Sequence, residues 1–255
     1  MTKIYQIYDA LCEWAPLSLQ MDFDNAGFQI GHWEDPVSRV LLALDVTDAV
    51  AEEAAALGAE LVVSHHPLLF HPPKSITDDD PTMSRVLFLA ENRIAVISMH
   101  TNLDIAEDGV NDVLIRLLGA EPEETLDDSG CGRIGVLEEP CSMAEFLACC
   151  KERLQVSGLR YYDAGKPVSR LAVMGGGGGD SVEDAWRKGC DTYVTADLKY
   201  HQFLHAEQLG LNVIDGDHFC TENPIIPELY ERLSDTFPEV SFHISERHRQ
   251  TVCFF

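Results

Sequence analysis

Three short segments carry side chains that could hold metal. Val62-Val63-Ser64-His65-His66-Pro67 sets two adjacent histidines at the end of an apolar run. His100 is followed four residues on by Asp104, and His218 four residues on by Glu222. Imidazole nitrogens and carboxylate oxygens are ligands for zinc, iron, manganese and nickel alike. Successive side chains of a strand point to opposite faces, so adjacent histidines chelate a single ion poorly while the chain stays extended. They can serve two neighbouring ions if the strand ends there. Pro67 ends it, since it has no backbone donor and holds His66 extended. The arithmetic favours a two-ion site of His65, His66, Asp104, His218 and Glu222, with the glutamate long enough to bridge. Any one segment alone reads as polar residues closing a strand; three of them, each after an apolar run, read as one site. His100 is then left over as a proton carrier beside that site, or as hydrogen-bond support for it. His201, in Lys199-Tyr200-His201, has a similar but weaker claim. His32, His71, His205, His243 and His248 lack a comparable setting and read as surface or packing residues.

The elements that must position these residues recur. Val37-Ser38-Arg39 leads into an apolar strand over 40–44, an alanine-rich amphipathic helix over 48–57, then Gly58 and a strand over 61–64. Val168-Ser169-Arg170 leads into a strand over 171–174, a glycine turn, a helix near 181–188, then Gly189 and a strand over 192–195. The Val-to-Gly spacing is 21 residues in both. Both read as β-α-β units with parallel strands. Downstream, 93–96 leads to His100 and Asp104, and 211–214 leads to His218 and Glu222. The shared spacing, order and ligand chemistry predict an internal duplication.

The expected fold class is therefore α/β, with two related lobes, residues 1–125 and 126–255, and the metal site in the cleft between them. Ligands just beyond the carboxyl ends of parallel strands fit the crevices of open α/β sheets. Ala196-Asp197 stands where His65-His66 stand in the first copy, which points to one shared site rather than two. Acid-rich 119–129 reads as a linker. Ser142 and Glu145 form a capping box that opens a helix to about 154. A helix over 227–233 and an edge strand over 240–245 close the chain and are free to pack on the first lobe.

Composition bounds the function. A hydrophobic fraction of 45% with 24% charged residues is that of a soluble globular protein. No apolar run approaches the ~20 residues needed to span a bilayer, and the N-terminus carries no signal-peptide pattern. The eight cysteines show no C-x-x-C spacing, which argues against zinc fingers and a secreted disulfide framework and for the cytoplasm. A net charge of −25 weighs against a nucleic-acid surface and repels anionic substrates unless bound metal offsets it. Gly175 to Gly179, between a strand and a helix, could cradle phosphate, but it lacks the lysine and serine of a P-loop and reads first as a flexible turn. Asn25 and Gln29 line either a pocket or a polar turn.

Taken in order, several motifs resemble the GTP cyclohydrolase 1 type 2 homolog family, also called Nif-three-like proteins. They are Trp14-Ala15-Pro16, Asp24 to Gln29, Leu44-Asp45-Val46-Thr47, Ser64 to Pro67, His100 to Asp104, Gly132 to Gly135, Lys199 to His201 and Asp217 to Glu222. The likeness runs nearly the whole length, without room for the domain that longer members insert mid-chain. It implies a two-lobed α/β fold, a dinuclear metal centre and a ring-shaped homohexamer. Carried over by position, His65, His66, Asp104, His218 and Glu222 are the ligands, with Glu222 bridging.

Two functional classes follow. The first is a metal-dependent hydrolase with two divalent ions per chain, iron or zinc first and manganese or nickel next. It would act on a nucleotide, a phosphoester or a cyclic amidine or amide, with His100 as catalytic proton carrier. The second is non-catalytic: a metal-storage, metal-delivery or partner-binding protein. An open coordination position separates the first from the closed site of the second.

Overall fold

The computed structural model describes residues 1–255. They fall into two compact units, one of residues 1–106 with 225–249 and one of residues 107–224 with 250–255. The acid-rich 119–129 therefore lies inside the second unit, and the last helix and strand belong to the first.

The strands are β1 (Gly27–Ile30), β2 (Arg39–Ala43), β3 (Leu61–Ser64), β4 (Ala95–Ser98), β5 (Glu124–Thr125) and β6 (Arg133–Cys141). They continue with β7 (Arg160–Tyr162), β8 (Val168–Val173), β9 (Thr192–Thr195), β10 (Asn212–Asp215) and β11 (Ser241–Ile244). The helices are α1 (Ile4–Trp14), α2 (Asp48–Leu57), α3 (Pro81–Glu91), α4 (Thr101–Ile105) and α5 (Val110–Leu117). After them come α6 (Met143–Arg153), α7 (Val182–Arg187), α8 (Tyr200–Leu209), α9 (His218–Glu222) and α10 (Ile225–Thr236). No helix is long and apolar enough to cross a membrane.

In the first unit the sheet order is β1-β4-β3-β2-β11. β2, β3, β4 and β11 run parallel, and β1 lies antiparallel on β4. Every residue of β3 and β4 is buried, which is why these strands read as continuous apolar runs rather than alternating ones. Val50 and Ala54 of α2 and Val86 and Leu89 of α3 pack on Val62 and Val96 of the sheet. Full burial of such side chains contributes about 1.5–3 kcal/mol each, so the strand ends that carry the histidines are anchored by the core beneath them. α2 is capped by Thr47, whose hydroxyl accepts from the Val50 N–H at 3.2 Å, and is stopped by Gly58 in the left-handed region at φ 70°.

In the second unit the order is β5-β6-β8-β9-β10-β7. β8, β9 and β10 are parallel, while β6 on β8 and β7 on β10 are antiparallel. α6 opens on the Ser142–Glu145 capping box and buries Phe146 against Leu171, Val173 and Val194.

Candidate metal centre

Each unit carries its candidate ligand residues just past the carboxyl ends of its parallel strands. In the first unit His65 and His66 follow β3 directly. His100 follows β4 and stands before the first turn of α4, which carries Asp104. In the second unit Asp197 follows β9, and α9, which follows β10, bears His218 and Glu222 one turn apart. Asp217 opens α9 at φ 72°, and its carboxylate accepts from the Cys220 N–H at 3.1 Å.

The four imidazoles share one arrangement. Nδ1 of His65 lies 2.8 Å from the Met99 carbonyl, that of His66 2.7 Å from Asp45, that of His100 2.7 Å from Asp24 and that of His218 2.8 Å from Asp197. A carbonyl or a carboxylate can only accept, so each Nδ1 carries a proton, and in the neutral ring Nε2 is then the nitrogen that can offer a lone pair. That is the tautomer a metal ligand needs, and a partner on the far ring nitrogen is what fixes it.

The spacing of the lone-pair atoms fits an ion as well. Two ligands at ~2.1 Å on one tetrahedral ion stand ~3.4 Å apart. His65 Nε2 lies 3.6 Å from Asp104 Oδ1, too far for a hydrogen bond, and His218 Nε2 lies 3.1 Å from Glu222 Oε2. His65, His66 and His100 each offer a nitrogen within 4.8 Å of the others. The structure thus gathers His65, His66, His100 and Asp104 in the first unit, and His218 with Glu222 in the second. His65, Asp104 and Glu222 are buried, while His66, His100 and His218 are partly open.

The carboxylates behind the imidazoles were not singled out as site residues from sequence. Asp24 reaches His100 because β1 lies antiparallel on β4, pairing Gly27 with Ser98. Its carboxylate also accepts from the Thr101 N–H at 3.0 Å and from the Thr101 hydroxyl. Burial alone would raise the Asp24 carboxyl; the bonds from His100 and Thr101 together outweigh that and bring it to about 2. Asp45 moves the same way, its burial outweighed by bonds from His248 and His66. Because the folded-state value of Asp24 lies below the ordinary ~3.9, its contribution to stability is complete above about pH 4 and is lost as pH falls through about 2. Urea unfolding followed from about pH 5 to pH 2 should lose stability more steeply in wild type than in Asp24→Asn. Equal slopes would show that the carboxylate is not held in this way.

Three expectations change. His248, taken from sequence as a surface or packing residue, is 7% exposed in its side chain and bonds Asp45 at 3.1 Å. Asn25 and Gln29 tie β1 to the loop after His66. Asn25 donates to the Leu69 carbonyl, and Gln29 accepts from the Leu69 N–H at 3.1 Å. The glycine run is held in place rather than loose. Its Gly175, Gly176 and Gly178 N–H groups donate to Asn111, Thr221 and Thr195 at 2.8, 3.0 and 2.9 Å. Gly176 sits at φ 65°, and a Cβ there would fall 2.1 Å from Glu222 Oε1 and 3.2 Å from His218 Nε2. A Cβ on Gly178 would fall 2.4 Å from the Tyr193 hydroxyl. Glycine is required here so that the main chain can pass beneath Glu222 and His218.

Fold and site together define an α/β protein with histidine and carboxylate groups able to hold a metal ion. The family model for Duf34/NIF3 (NGG1p interacting factor 3) matches residues 2–251, and the chain belongs to that family. A GTP cyclohydrolase 1 type 2 homolog of Clostridium perfringens is 34% identical over 260 residues, covering 99% of both chains. One of Methanocaldococcus jannaschii is 33% identical over 226 residues, covering 86% of this chain and 90% of its own. Among solved structures, a Bacillus cereus protein related to NIF3 superposes with a TM-score of 0.93 at 26% identity, over 100% of this chain and 99% of that one. Reduced HcgD from Methanocaldococcus jannaschii gives 0.85 at 30% identity, over 96% and 98%.

Proposed function

We propose that this protein binds two divalent ions, iron or zinc first, and uses them to hydrolyse a nucleotide, a phosphoester or a cyclic amidine or amide. His65, His66, Asp104, His218 and Glu222 would hold the ions in a cleft between two lobes that descend from one duplicated unit. The observation that carries this reading is the set of four imidazoles, each fixed through Nδ1 so that Nε2 is the lone-pair atom. In support of the duplication, β2-β3-β4 and β8-β9-β10 are both parallel trios with an antiparallel strand on the third member. Manganese and nickel would suit the same nitrogen and oxygen donors. A homohexamer in the cytoplasm completes the proposal, by resemblance to the family.

Bound divalent ions would supply Lewis acidity and activate water for attack. The chain's own residues supply the rest. His100 Nε2 accepts a proton from the attacking water and returns it to the leaving group, while Asp24 holds the ring through Nδ1. Phe70 and Phe23, 37% and 60% exposed, form an apolar wall beside it. The Phe70 ring centroid is 6.1 Å from that of His100 and 6.4 Å from that of Phe23, a surface suited to a planar ring.

Protein purified without added metal should contain about two ions per chain by elemental analysis, fewer in His66→Ala. His100→Ala should keep its metal and lose at least about 100-fold in turnover, the usual weight of a general acid–base group. If His100→Ala empties the site instead, His100 is itself a ligand. The burial of His65, Asp104 and Glu222 favours a second reading, a closed non-catalytic holder for stored or delivered metal. That reading replaces the first if metal-loaded protein turns over none of a broad panel of nucleotides, phosphoesters and cyclic amides.

A further inference from the structure

His66 is the ligand-side histidine whose carboxylate partner is itself gripped from behind. Asp45 Oδ1 accepts from His66 Nδ1 at 2.7 Å, and Asp45 Oδ2 lies 3.1 Å from Nε2 of His248. The other nitrogen of His248 lies 3.2 Å from the main-chain N–H of Leu44. A backbone N–H can only donate, so His248 Nδ1 accepts and its proton must sit on Nε2, aimed at Asp45. His248 therefore has the tautomer opposite to that of His65, His66, His100 and His218. Both oxygens of Asp45 are occupied by imidazole N–H groups, and the carboxylate is not free to turn away from His66.

The segment that brings His248 to this place is built for it. It follows β11, and the Ser245 N–H continues that strand's pairing by donating to the Leu42 carbonyl at 2.9 Å. The Ser245 hydroxyl and the Glu246 and Arg247 N–H groups all donate to Glu53 of α2, the latter two at 2.9 and 3.3 Å. The His248 N–H donates back to the Ser245 hydroxyl at 3.0 Å. His66 is fixed to the same strand end by its own main chain, since its N–H donates to the Leu44 carbonyl at 2.9 Å.

We propose that His248 is a positioning residue of the metal centre: acting through Asp45, it fixes the tautomer and ring direction of His66. The proposal rests on the reading of His66 as a ligand. It assigns a role to the chain's C-terminal segment that neither the motif spacing nor the ligand set suggests. Partners that hold a ligating histidine from behind typically carry roughly 10- to 100-fold of metal affinity.

The test compares wild type, His248→Ala, His248→Gln, Asp45→Ala and the double variant Asp45→Ala/His248→Ala. Zn2+ is the probe, its dissociation constant read by competition with a chromophoric chelator. His248→Ala should weaken Zn2+ binding by roughly 10-fold. His248→Gln, whose amide N–H can donate to Asp45 in place of Nε2, should recover most of the loss. The double variant should bind no more weakly than Asp45→Ala alone, because the effect passes through that carboxylate. An unchanged constant in His248→Ala, or losses that multiply in the double variant, would overturn the proposal.

A second readout needs no substitution. In 15N spectra of the metal-free wild type near neutral pH, His248 should show a protonated Nε2 and an unprotonated Nδ1. The reverse tautomer, or a doubly protonated ring, would overturn the proposal whatever the variants do. A wild-type chain that takes up no Zn2+ would remove the reading of His66 as a ligand, and the proposal with it; this outcome is distinct from normal uptake that ignores His248.

Discussion

Gly176→Ala should cripple metal binding while leaving the chain folded. The left-handed backbone costs a non-glycine residue roughly 1–2 kcal/mol, which a domain with ordinary stability tolerates. The larger effect is steric. The new Cβ would stand 2.1 Å from Glu222 Oε1 and 3.0 Å from Glu222 Cδ, so the carboxylate must leave its place beside His218. If Glu222 is a ligand, as proposed, its displacement should lower metal affinity by at least about 100-fold, the upper end for disturbed outer-shell partners. Gly165→Ala is the control: Gly165 has φ 74° with nothing within 4 Å of its Cβ position, so it carries the backbone cost alone. Chelator competition on the two variants separates the terms. If both bind metal alike, the close passage of the main chain beneath Glu222 has no bearing on the site.

The second large effect is on stability. Arg133 and Asp112 form an ion pair within the second unit, with side chains 8% and 4% exposed. Arg133 also donates to the Gly130 and Gly132 carbonyls, both at 2.9 Å, and Asp112 accepts from the Asp108 N–H at 2.6 Å. Taking away one partner of such a pair leaves an uncompensated buried charge and costs about 3–5 kcal/mol. Asp112→Ala should show that loss in urea unfolding. The double variant Asp112→Leu/Arg133→Met, which removes both charges and keeps the volume apolar, should recover a large part of it. A loss below about 1 kcal/mol in Asp112→Ala would mean that water reaches the guanidinium after all.

What the sequence made legible was local. The apolar runs that became β3, β4 and β10 end at the histidine segments, and α2 occupies the expected 48–57. Asp24, Asp45 and Asp197 were not legible as supports, because an aspartate after or before a strand is ordinary surface chemistry until strand neighbours are known. Asp24 and His100 are 76 residues apart and Leu44 and His248 are 204 apart; no period or motif links them. The fixed course of the glycine run was hidden for the same reason. Its tight contacts are with Tyr193, Thr195, Gln202 and Glu222, none of them neighbours in sequence. The unit boundaries at 106/107 and 224/225 escaped composition because neither falls in a long polar or glycine-rich stretch.

The pairing of β11 with β2 also bears on how the chain is made. Synthesis delivers β2 early, with its apolar Val40, Leu41 and Leu42, yet the strand that covers this edge, Ser241–Ile244, emerges only after the whole second sheet has been made. All six strands of the second sheet lie between Glu124 and Asp215, so that unit has its sheet complete while the first still shows an open flank. An uncovered apolar strand edge invites pairing with another chain. A nascent molecule, or one cut before Ser241, is thus the form of this protein most exposed to self-association, and β11 guards its solubility on the ribosome as much as its finished shape.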